Sequence, residues 1–106
     1  MSRPIQVHGD LAIDPAREAE ALHYFETVYR PTAQRFEGYI DLQLLKLQQA
    51  VTGSAPPGVN YRFSISFSAE ALRQRWVASA EHQQVWGALD AFLTTHDVAF
   101  LLFEIR

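Results

Sequence analysis

Between residues 61 and 68 the chain alternates without a break: Tyr61, Phe63, Ile65 and Phe67 are large and apolar, whereas Arg62, Ser64, Ser66 and Ser68 are polar. A period of two marks a strand with two unlike faces. Ser68 can cap free backbone N–H groups and Glu70 follows where the helix dipole favours an anion, so a helix is predicted from Ala69. On it Ala69, Leu72 and Trp76 share one face. The next apolar set, Val85, Leu89 and Leu93, is rotated from that face by roughly 110° if the helix runs straight. One straight helix would waste a stripe. A break near Ser79 and Ala80, with Ser79 as a second cap and Glu81 behind it, lets a second helix restart with His82, Val85, Trp86, Leu89 and Leu93 facing inward.

The same reading places the other elements. Residues 5–8 form a short strand that ends in turn residues Gly9 and Asp10. Asp14 and Pro15 start a helix whose inward face carries Leu22, Phe25, Tyr29, Thr32, Ala33 and Phe36; Pro31 kinks it and Gly38 stops it. Residues 39–49 read as a strand with Ile40, Leu42 and Leu44 on one face and Asp41, Gln43, Leu45 and Leu47 on the other, helix being the rival because Leu and Gln favour it. Residues 50–59 form a long, proline-rich hairpin loop, and residues 98–105 a last strand with two apolar faces. The order β-α-β-β-α-β is an α+β arrangement, a four-stranded antiparallel sheet with both helices on one face. A second copy of the chain is the simplest cover for the other face.

Composition narrows the function classes. A chain of 106 residues, 48% of them hydrophobic, makes one domain over residues 1–106. A net charge of −3 without a basic cluster argues against nucleic-acid or membrane partners. The absence of cysteine excludes disulfides and thiol chemistry, and no apolar run has the length of a membrane span. The first ten residues lack the apolar run of a signal peptide, so a cytoplasmic location is expected. The four histidines show no metal-ligand spacing, and the glycines of the 50–59 stretch lack the lysine of a phosphate loop.

Two segments, EGYIDLQLL from Glu37 and NYRFSISFSAEALRQRWVASAEHQQVW from Asn60, resemble the antibiotic biosynthesis monooxygenase-type family of dimeric α/β barrel proteins. The resemblance implies ferredoxin-like protomers packed sheet to sheet as a homodimer, with a pocket between sheet and helices. It further implies oxidation of a small phenolic or quinol-like substrate by molecular oxygen, with no cofactor and no metal. The acidic residue common near the end of the family's third strand is Ser66 here. The haem-degrading branch also carries a Trp and a His around its second helix, but its first-strand Asn has no counterpart in residues 5–8.

Candidate chemistry centres on His82, whose imidazole in an apolar stripe can act as a base or simply hydrogen-bond within the core. Trp76 and Trp86, with Tyr61 and Phe63, can line a slot for a planar ligand or form ordinary core. Asn60 and Arg62, at the mouth of the third strand, can fix a ligand oxygen or merely be solvated. Two function classes follow: a cofactor-independent monooxygenase with His82 as base, or a non-catalytic dimeric module for a small ligand or partner. A filled core around His82 would remove the enzyme's site.

Overall fold

The computed structural model describes residues 3–106. Strands β1 (Ile5–Leu11), β2 (Tyr39–Lys46), β3 (Tyr61–Phe67) and β4 (Phe100–Glu104) form one antiparallel sheet in the order β2-β3-β1-β4. Helices α1 (Glu18–Tyr24), α2 (Arg30–Gln34), α3 (Glu70–Ala78) and α4 (Ala80–Asp90) complete the predicted order, α1 and α2 making one helical passage and α3 and α4 the other. Among the described residues no helix is long and apolar enough to cross a membrane.

Register decides what each sheet face carries. Ile5, Val7 and Leu11 stand opposite Phe67, Ile65 and Tyr61, all buried, and Leu42 and Leu44 extend that row onto β2. The other face carries Gln6, His8 and Asp10 opposite Ser66, Ser64 and Arg62. That face is knitted by side chains: Gln6 Nε2 donates to Ser66 Oγ at 2.8 Å, and Arg62 meets Asp10 at 2.8 Å.

Several local expectations change. Gly9 and Asp10 are strand rather than turn, because Gly9 lies between Phe63 and Phe100 in register and leaves room for the Phe100 ring. The strand from Tyr39 stops at Lys46, and a register shift between Tyr39 and Asp41 turns Ile40 out to solvent. The last strand begins at Phe100 rather than at residue 98. Ser68 is not a cap: Ala69 precedes α3 without a side-chain hydrogen bond, and Ser68 N donates to Gly38 O instead.

The first helical passage shows how proline is absorbed. Asp14 Oδ1 accepts from Ala16 N and opens a 3-10 turn at Pro15–Arg17, after which α1 widens into a π segment, Phe25–Tyr29. Arg30 N there donates to Phe25 O, five residues back, just before Pro31, which has no N–H to give. Residues four apart drift by roughly 40° per step on an α-helix, and the wide turn takes up that drift. Ala21, Phe25, Tyr29 and Ala33 therefore all face the core, and Leu22, expected inward, is exposed.

The break between the other two helices is as predicted. Ser79 has extended backbone, its Oγ accepts from His82 N at 3.1 Å, and the same hydroxyl donates to Trp76 O at 2.6 Å. One serine thus ends α3 and starts α4, which fixes Trp76 and His82 relative to each other.

Candidate functional site

A cavity of about 180 Å³ lies between the sheet and the α3–α4 pair. Its floor is Val7 of β1 with Phe63 and Ile65 of β3, and its roof is Arg73, Trp76 and Val77 of α3 with His82 and Trp86 of α4. Tyr29, at the end of the π segment, closes one side and Phe100 of β4 another. The rings meet edge to face: Trp76 lies 4.9 Å from His82, Tyr29 5.6 Å from Phe63, and Trp86 6.0 Å from Phe63. In each pair the edge of one ring meets the face of the other.

Polar capacity in this cavity is concentrated in few groups. His82 Nδ1 is buried and has no hydrogen-bond partner among the described residues. Burial, chiefly, and the nearby charge of Arg73 hold the His82 imidazole below its ordinary pKa, against the Val77 carbonyl, which favours the protonated ring. The ring is therefore neutral at pH 7, with one nitrogen able to accept a proton. Arg73 is itself engaged by Glu70 through two hydrogen bonds, which raise its pKa and lower that of the carboxylate. Burial pushes the Tyr29 phenol far above its ordinary range, which leaves it a neutral hydroxyl.

The structure brings His82, Phe63, Trp76 and Trp86 together and places Asn60, Tyr61 and Arg62 elsewhere. Asn60 clamps the chain after β1: its Oδ1 accepts from Ile13 N and its Nδ2 donates to Ile13 O, both at 2.8 Å. Tyr61 points its hydroxyl to Glu18, whose carboxylate also meets Lys46 at 2.9 Å, and burial with that carboxylate pushes the phenol up to about 12. Arg62 lies on the opposite sheet face, paired with Asp10. Tyr61 and Arg62 border a second hollow of about 240 Å³ beside the residues that follow β2.

Sequence reasoning did not place Tyr29, Arg73 or Phe100 at the cavity. Arg73 stands one turn before Trp76, a spacing that puts both on one helix face. Tyr29 is indistinguishable in the sequence from the core residues around it, and Phe100 reaches the site only through pairing of β4 with β1. Among the described residues no three His, Cys, Asp or Glu side chains converge as a metal site requires.

No protein-family model and no curated protein matches the chain by sequence. Solved structures do match by shape. A dimeric ferredoxin-like protein of unknown function from Jannaschia sp. CCS1 superposes with a TM-score of 0.78 at 14% identity, over 96% of this chain and 99% of that one. A candidate antibiotic biosynthesis monooxygenase from Caulobacter crescentus CB15 gives 0.75 at 13% identity, over 99% and 92%. SnoaB, a cofactor-independent oxygenase from Streptomyces nogalater, gives 0.70 at 18% identity, over 99% and 95%. The chain has the antibiotic biosynthesis monooxygenase fold. At these identities the likeness is one of fold, and the chemistry has to be argued from the cavity.

Proposed function

We propose that the chain is a cofactor-independent monooxygenase acting on a small phenolic or quinol-like substrate, with His82 as the base. The observation that carries this reading is the His82 imidazole, held neutral chiefly by burial, in the wall of an aromatic cavity. A phenol seated between Trp76, Trp86 and Phe63 can give its proton to the neutral imidazole, and the resulting electron-rich anion reacts with dioxygen. The products balance as a quinone and water: the ring gains one oxygen and loses two hydrogens, which leave with the other oxygen. The apolar walls keep water from the intermediate. A haem, a planar macrocycle of four pyrrole rings, exceeds a cavity of about 180 Å³, which weighs against the haem-degrading reading.

The working unit in this reading is a homodimer. β4 bonds to β1 along one edge only, and Leu101, Leu102 and Phe103 are 56, 50 and 48% exposed, on both faces of the sheet. A second copy that covers β4 removes this surface from water, and light scattering at micromolar concentration should return twice the mass of the 106-residue chain.

Oxygen uptake in the presence of simple phenols tests the chemistry. His82→Gln, close in size and unable to take a proton, should lower turnover by about 10²–10⁴-fold, as loss of a positioned base does, while the protein stays folded. If wild type binds such phenols without consuming oxygen, the second reading gains: a dimeric small-ligand-binding module on the same fold. No turnover, with His82→Gln altering only the melting temperature, would retire the enzyme reading.

A further inference from the structure

We propose that Phe100, its ring seated on Gly9, sets the size of guest the cavity accepts and limits it to single-ring phenols. This rests on the reading of the cavity as a substrate site and goes beyond it by naming the residue that selects. The cavity, about 180 Å³, is near the 150 Å³ or so that holds one benzene ring, and short of the few hundred that fused-ring ligands occupy. Half of its lining cannot yield. Trp76, Tyr29, Phe63 and Ile65 are buried core residues, packed against further core on their outer sides.

Phe100 differs from them. It is the most exposed of the lining residues, at 45%, and comes from the edge strand β4, so it bounds the cavity on the side of the sheet edge. Its strand is an edge strand paired only with β1, and its ring meets Trp86 at 5.1 Å, edge to face. The ring lies so close over β1 that a Cβ added at Gly9 would come within 2.6 Å of Phe100 Cε1 and 2.7 Å of Cδ1, and its three nearest atoms all belong to that ring. The absence of a side chain at residue 9 therefore serves one purpose that the geometry makes visible. It lets the Phe100 ring settle where it bounds the cavity.

The test is calorimetric titration of phenol and 2-naphthol into wild type, Phe100→Ala, Gly9→Ala and the double variant. Added apolar area favours the larger ligand wherever it fits, so size exclusion has to show against that trend. Wild type should bind phenol at least tenfold more tightly than 2-naphthol, and Phe100→Ala should reverse the order by strengthening 2-naphthol at least tenfold. Gly9→Ala should weaken phenol about tenfold by displacing the ring, and removing the ring in the double variant should abolish that defect. Should Gly9→Ala fail to fold, recovery of the fold in the double variant supports the seating, and no recovery overturns it. Equal binding of both ligands by wild type, or an unchanged preference in Phe100→Ala, overturns the size limit while leaving the cavity a substrate site. Binding of neither ligand to any variant removes the substrate site itself, and this inference with it.

Discussion

The Asn60 end of β3 and its middle are built from the same alternation, yet they spend their polar groups differently. At the Asn60 end the polar side chains are partnered: Asn60 with Ile13, Tyr61 with Glu18, and Arg62 with Asp10. At the middle of the strand, under α3 and α4, Phe63 and Ile65 border an open volume, and a buried His82 nitrogen has no partner. Partnered polar groups hold a fold in place, whereas a neutral imidazole in a cavity wall is what a guest would meet. The difference locates the candidate chemistry better than residue type does, since an asparagine and an arginine at a strand mouth look more like ligand contacts than a histidine within an apolar stripe.

The largest effect that would break this contrast falls at the Asn60 end. Asn60→Ala removes both bonds to Ile13 and strands a backbone N–H and C=O beside buried Leu11 and Ile13. A loss of about 1–3 kcal/mol is expected, read from chemical denaturation, with phenol affinity unchanged. A variant as stable as wild type, or one that loses ligand first, would mean that the two ends do not divide the work in this way.

What the sequence made legible follows from the range of the interactions that set it. The alternation of β3 and the cap at Ser79 are decided within a few residues and were readable, whereas the helix expected to stop at Gly38 ends at Gln34, and Gly38, with a φ of +88°, serves the turn into β2. The strand role of Gly9 depends on Phe100, far along the chain, and the outward turn of Leu22 depends on a π segment fitted to Pro31. Neither has a local signature. The site divides likewise: Trp76 lies on the apolar stripe of one helix and His82 and Trp86 on that of the next, whereas Tyr29 and Phe100 arrive from other elements. Asn60 and Arg62 were read as ligand contacts or solvated strand-end residues, because their partners, Ile13 just after β1 and Asp10 within it, lie far off in the chain.

A smaller effect sharpens the cavity end. Ser79→Ala should cost about 1 kcal/mol, the usual worth of an N-cap serine, with the loss visible as a lower melting temperature. Ser79→Asp should regain only part of it, since its carboxylate can accept from His82 N but cannot donate to Trp76 O as the hydroxyl does. Ser79→Ala as stable as wild type would show that the break between α3 and α4 is held by packing alone.

The smallest expected effect is a slope. Because burial and Arg73 hold His82 below its ordinary value of 6.5, the unfolded chain binds a proton that the folded chain refuses as pH falls through that value. Stability rises with pH wherever the unfolded state holds more protons, so His82 costs nothing at pH 8 and takes stability away progressively below pH 6.5. The loss stops growing once the pH passes below the depressed folded value. Carboxylates pull the same way but lower down: Glu70, held by Arg73, and Glu18, held by Tyr61 and Lys46, are lowered from 4.5, so their contributions are lost only as pH falls below that value. Melting temperatures of wild type and His82→Gln between pH 5 and 8 therefore isolate the imidazole. Wild type should lose stability toward pH 5 more steeply than His82→Gln, and a saturating phenol should steepen the difference if the ligand binds only the neutral ring. Parallel curves would place His82 in contact with water, and the cavity end would then be as fully partnered as the Asn60 end.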